Sequence, residues 1–269
     1  MKAYLEVNNG MWFDDYVYSA VEPLNRLGIE IIKAEELHNY NFHKKSPTVD
    51  DIFIGSVDGT IAFWKELGIE PPSYLGYSND LKQYLHRNIS TMLFGDLKPT
   101  DLPVFIKPKN NVKEFTGFVL EKDSTLANIS MYYSQIKPET EVYVSETIDI
   151  VSEYRVFVHK NEIVGIKHYA GDFNLFPNIN EVKKMKDDYK TDLISYTLDV
   201  GIMSKTQLEI VDIHFAPQLV TKYTTVLIEV NDFWAIGGYG LDGKIYTRMI
   251  IDRFQQIKKD AEKHIMIIE

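Results

Sequence analysis

The chain has 269 residues, enough for one large domain or two to three subdomains around a substantial core. Its net charge of −10, from 39 acidic and 29 basic side chains, argues against nonspecific nucleic-acid binding, which needs Lys and Arg to neutralise phosphates. The absence of cysteine excludes disulfides, thiolate zinc sites and cysteine nucleophiles.

In chain order, residues 2–7 (KAYLEV) and 28–34 (GIEIIKA) read as strands, with an amphipathic helix, DDYVYSAVEPLNRLG, between them. Pro23 within that helix predicts a break near residue 22. A third strand at 51–56 leads into a helix, VDGTIAFWKELG, that stops at Gly68. This strand–helix alternation predicts a small parallel sheet. The prolines of 69–78 mark a loop and a boundary. After it comes a helical DLKQYLHRNI, and then strands dominate: PVFIKP, EFTGFVL, EVYVSETI, EYRVFVHK and EIVGIKHY. Lys160-Asn161 reads as the turn of a hairpin. Residues 181–203 read as helical, TDLISYTLDVGIM most clearly, followed by strands TQLEIVDIHF and TTVLIEVND and a closing helix, YTRMIIDRFQQIKKDAEKH. The whole is α+β behind an α/β front.

Three groups of residues could carry chemistry. Glu229 and Asn231, at i and i+2 on a strand, point the same way. If the strands holding them and Asp212 pair across a loop at 215–224, three hard oxygen donors converge, a set suited to Mg²⁺. Taken singly, each is also an ordinary solvated strand end. Lys107 closes an apolar strand before a polar loop with Lys113 and Thr116-Gly117, where a lysine is either a phosphate ligand or one more charge on a solvated face. Arg155, inside a β-forming run, needs a partner: either a structural pair with Glu153 or an anion to clamp. His168 reads as a turn histidine, and the seven histidines lack metal-ligand spacing.

Taken in order, FIKP with its glycine-bearing loop, VYVSETI, EYRVFV, VDIHF and LIEVN resemble the ATP-grasp superfamily. FIGSVDGTIAFWKELGIEPP, FTGFVL, SEYRVFV, GIKHYAGD and EVNDFWAIGGYGL are similar to its phage- and bacteria-associated clade named for two arginines and a lysine. The resemblance runs from about Asp51 to Phe254. It implies two α+β subdomains sandwiching ATP behind a parallel-sheet subdomain, divided here as 1–75, 76–145 and 146–269. It further implies Lys107 and Lys113 on the phosphates, Glu146 at the adenine hinge and Glu153 on the ribose. Asp212, Glu229 and Asn231 would hold Mg²⁺, with Arg155 and Arg253 as catalytic arginines. The segment 214–224 looks long for the hairpin such a site requires.

The activity so implied is an ATP- and Mg²⁺-dependent carboxylate–amine ligase working through an acyl phosphate, on small-molecule or peptide substrates. A non-catalytic ATP-binding module serving a partner protein is the alternative. Neither a GxxxxGK[ST] nor a GxGxxG motif supports a P-loop or Rossmann reading. No apolar run approaches the ~20 residues of a membrane span, and the expected location is the cytoplasm, with neither nucleic acid nor membrane as partner.

Overall fold

A computed structural model describes residues 1–35, 46–98, 102–110, 115–122, 136–209 and 217–268. The front of the chain forms a four-stranded sheet around β1 (Lys2–Asn8). It pairs parallel with β3 (Glu30–Glu35) and β4 (Ile52–Ile54) and antiparallel with the short β2 (Met11–Trp12). The helix predicted between the first strands is two short ones, α1 (Asp15–Ser19) and α2 (Val21–Arg26). The break falls at Ala20, which leaves Pro23 in the first turn of α2, where a missing N–H costs little. Helix α3 (Val57–Glu66) is capped by Ser56, whose hydroxyl accepts from the Gly59 N–H at 3.0 Å, and ends before Gly68 at φ +68°.

The predicted helix after the proline loop is only a 3-10 turn, Asn79–Tyr84, because the chain turns at His86 (φ +51°) into β5 (Ile89–Leu93). A second, antiparallel sheet follows in the order β5, β8 (Glu141–Glu146), β6 (Val104–Pro108), β7 (Phe118–Leu120). A third, also antiparallel, runs β10 (Glu162–Gly171), β9 (Ile150–His159), β11 (Ser195–Glu209), β12 (Gln218–Asp232). Lys160 and Asn161, at φ +49° and +63°, make the two-residue turn between β9 and β10, as expected.

The largest departure from expectation is at 191–203. The helix expected over 181–203 stops with α4 (Ile179–Asp188), and residues 195–203 belong instead to β11. The strands of the following hairpin are 15 residues each, and the segment expected as a long loop contributes residues 218–224 to β12. The chain closes with α5 (Gly243–Ile268), whose first turn is capped by Asp242 accepting from the Lys244 and Ile245 N–H groups. Helix α5 returns to the first sheet. Trp64 stacks on Phe254 at 4.4 Å, and Tyr4, Phe53, Phe63, Phe157, Phe233 and Tyr246 share one apolar core with them. The opposite face of the third sheet and the second sheet each have a core of their own.

Candidate active site

Alternation along β9, β11 and β12 decides which residues face the cleft. In β11, Tyr196, Leu198, Val200 and Ile202 fill the core on one face, which puts Ser195, Thr197, Asp199 and Gly201 on the other. Asp199 is in register with Arg155 of β9 on one side and with Glu229 of β12 on the other. All three are thus neighbours on one face of the sheet.

The hydrogen bonds follow from that register. Arg155 grips Asp199 with both arms, Nε to Oδ1 at 2.8 Å and Nη2 to Oδ2 at 2.6 Å, and Nη1 donates to the Gly237 carbonyl at 3.1 Å. Asn231 Nδ2 bridges Asp199 Oδ2 (3.2 Å) and Glu229 Oε1 (3.0 Å). Glu229 Oε2 accepts from Lys107 Nζ at 2.8 Å. Glu153, the structural partner weighed for Arg155 against a bound anion, lies instead beside Tyr169. Tyr169 and Tyr239 stack 4.9 Å apart, with the Arg155 guanidinium 5.8 and 4.8 Å from their rings. A strand neighbour two residues away points along the same face but does not face its partner as a cross-strand residue does. The pairing rule therefore favours Asp199.

The electrostatics are those of a buried, balanced set. Burial pushes the Asp199 carboxyl up to about 6, against the pull of Arg155. Burial opposes the Glu229 carboxylate too, but Lys107 and Asn231 hold it below its ordinary value. Lys107 is raised in spite of its burial by Glu229, Tyr77 and Tyr74.

Lys107, Glu229 and Asn231 open onto a cleft of about 360 Å³ between the second and third sheets, lined also by Tyr74, Asn110, Thr116, Gly117, Asp232 and Trp234 among others. Gly117 is there for close approach: a Cβ would lie 2.7 Å from Phe105 Cζ and 3.0 Å from Lys107 Cβ. Arg87, which the sequence did not single out, donates to the carbonyls of Leu227 (3.0 Å) and Ile228 (2.9 Å), at the register shift just before Glu229. It fixes the end of the strand that presents the carboxylate.

The remaining expected residues fall as follows. Glu146 ends β8, where the chain leaves the second sheet for the third, and accepts from the Asn88 N–H at 3.0 Å. Arg253 is buried and clamps Asp232, with Nε–Oδ1 and Nη2–Oδ2 both at 2.6 Å. His168 packs edge-on against Tyr154, and its Nε2 is buried with no hydrogen-bond partner among the described residues. Lys113 and Asp212 lie outside the described residues. The β11 residue in register with Glu229 is Asp199.

Among the described residues, no group of three or more His, Cys, Asp or Glu is placed to hold a metal by itself. Mg²⁺ does not need one. It commonly takes one or two carboxylates and completes its shell with phosphate and water. Glu229, Asn231 and Asp199 supply oxygens of that kind, and Glu229 already carries a cation, the Lys107 ammonium. The donor set fits the ion.

An antiparallel lysine-bearing sheet facing an antiparallel acid-bearing sheet across a cleft, behind a small parallel sheet, is the ATP-grasp architecture. Among solved structures, the chain is similar to D-alanine–D-alanine ligase from Bacillus anthracis (15% identity, TM-score 0.53, covering 97% of this chain and 99% of that one). It is also similar to the D-cycloserine synthetase DcsG (9%, 0.53, 94% and 100%) and to the L-amino acid ligase from Bacillus licheniformis (12%, 0.51, 95% and 74%). Residues 84–249 match the ATP-grasp domain, R2K clade family 2, and the chain belongs to that family. No curated protein matches it.

Proposed function

We propose that this chain is an ATP- and Mg²⁺-dependent ligase that joins a carboxylate to an amine through an acyl phosphate. One observation carries the reading. Lys107, Glu229, Asn231, Asp199 and Arg155 are linked end to end by hydrogen bonds in a chain of the ATP-grasp family, with Lys107, Glu229 and Asn231 lining its cleft.

In this reading Lys107 neutralises phosphate charge, and the backbone joining β8 to β9 after Glu146 reads the adenine. Glu229, Asn231 and Asp199 hold Mg²⁺; the metal role expected for Asp212 is assigned to Asp199. Bound there, Mg²⁺ neutralises charge on the ATP phosphates. Arg155, fixed by Asp199, presents its guanidinium to the transferring phosphoryl group. Arg253 is a positioning residue, acting through Asp232. A substrate carboxylate oxygen attacks the γ-phosphorus, and the bond to ADP breaks. An amine then attacks the acyl carbon, the carbon–oxygen bond to the phosphate breaks, and inorganic phosphate leaves with that oxygen and takes up the proton the amine loses. The protein's part is placement and charge stabilisation, and no protein nucleophile takes part. The substrates are a small-molecule or peptide carboxylate and an amine.

The test is thermal unfolding with and without Mg-ATP, followed by hydroxylamine trapping over a panel of carboxylates. A ligand at 100 times its Kd adds about 2.7 kcal/mol of stability, an easily resolved rise in Tm. The expected result is a magnesium-dependent rise, reduced in Glu229→Gln, and a hydroxamate formed with one class of carboxylate. No rise at millimolar ATP removes the reading. A rise with no ADP release on any substrate favours a binding module.

A further inference from the structure

The segment joining the first sheet to the second runs through Pro71, Pro72 and Tyr74 to Gly76. Gly76 stands at φ +62°, and a Cβ on it would meet the Tyr143 hydroxyl at 2.6 Å, so the segment lies close against the second sheet. From it Tyr74 reaches the centre of the charged set. Lys107 Nζ donates to the Tyr74 hydroxyl oxygen at 2.7 Å and to Glu229 Oε2 at 2.8 Å, and the Tyr74 hydroxyl lies 3.4 Å from the same Oε2. The rings of Tyr77, Tyr74 and Tyr143 lie 4.6, 5.2 and 5.9 Å from the ammonium. Lys107 is thus enclosed by one carboxylate, one hydroxyl and three aromatic rings.

We propose that Tyr74, Lys107 and Glu229 form a latch on the nucleotide site that admits the metal ion and the phosphates together and resists either alone. The inference rests on the reading that this cleft takes Mg-ATP. An anion arriving alone must draw Lys107 away and strand the Glu229 carboxylate in a largely buried place. A cation arriving alone must take Glu229 from Lys107 and strand the ammonium. The side chains are only 10% and 26% exposed, and leaving one member of so largely buried a pair uncompensated is unfavourable. When both arrive, Lys107 passes to a phosphate and Glu229 to the metal, and no charge is stranded. Tyr74 is a positioning residue here: its hydroxyl links the two partners and ties the latch to the segment that leads in from the first sheet.

Two readouts test this without turnover. The first is ATP binding in EDTA by equilibrium dialysis, in wild type and Glu229→Gln. The second is acetylation of Lys107 by acetic anhydride in the ligand-free protein, followed by mass spectrometry, in wild type, Glu229→Gln and Tyr74→Phe. Freeing Lys107 should tighten metal-free ATP about tenfold in Glu229→Gln, whereas loss of a residue that only ligated metal would leave metal-free binding unchanged. Lys107 should label several-fold faster in both variants, which keep the shape of the residues they replace. The latch is overturned if Mg-ATP stabilises the wild type while metal-free ATP binds Glu229→Gln no tighter, or while Lys107 in Tyr74→Phe labels at the wild-type rate. If Mg-ATP fails to stabilise the wild type, the nucleotide reading itself falls, and the latch with it.

Discussion

At the scale of single residues, the site is a set of charges that owe their positions to one another. Arg155 and Asp199 are both almost fully buried and bind in two-pronged fashion. Removing either alone leaves a buried charge, so Asp199→Ala and Arg155→Ala should each lose about 3–5 kcal/mol of stability. The double variant should lose much less than their sum, and urea unfolding of the three variants checks the coupling. Lys258 tells a different story. Its Nζ donates to the Asp51 carbonyl at 2.7 Å, and burial pushes the group down to about 8 against the pull of Asp50 and Asp51. An unfolded lysine titrates near about 10.4, so between these values the unfolded chain holds the extra proton and stability rises with pH. Wild type should therefore gain stability relative to Lys258→Met between pH 7.5 and 9.5, read from paired denaturation curves. Of the site residues, Glu229, Asn231 and Lys107 were legible in the sequence because a polar residue closing an apolar strand is a local signal. Asp199 was not. Its significance comes from register with strands 44 residues before it and 30 after it, which no local pattern encodes.

Among the elements, β11 shows why the reading failed where it did. Ile194, Leu198 and Ile202, each four apart, fit a helical stripe as well as Tyr196, Leu198, Val200 and Ile202 fit a strand. In a central strand both faces are covered, so the polar half of the alternation, Ser195, Thr197 and Asp199, is buried as well. Periodicity alone does not separate the two cases. The hairpin turn at Lys160-Asn161 was legible because its backbone demands are local. Residues 196–203 of β11 lie between β9 and β12, whereas 204–209 pair with β12 alone. The outer half of the hairpin is therefore a two-stranded arm, with Leu208 and Leu219 opposite each other and largely exposed. An isolated two-stranded ribbon is marginal in water. Hydrogen exchange should show the amides of 204–209 and 218–223 exchanging well before those of 195–202.

For the molecule as a whole, the alternation of strands and helices at the front and the strand-rich body behind it were readable, and the three sheets bear out that order. What the sequence did not disclose is how the ends meet. Trp64 and Phe254 stack across 190 residues of chain, and Lys258 reaches Asp51 across 207. The first sheet and α5 thus share one apolar core. A fragment of residues 1–75 should fail to show a cooperative thermal transition by circular dichroism. In the intact chain Phe254→Ala should cost about 3–5 kcal/mol, measured by chemical denaturation.

That long-range closure sets a schedule for the newborn chain. The ribosome delivers the first sheet and α3 long before it delivers α5, and at 5–20 residues per second the wait is on the order of ten to forty seconds. Through that interval Trp64 and Phe63 have no Phe254 to meet, and the sheet's apolar face stands open to chaperones or to neighbouring nascent chains. The front of this protein is made first and finished last.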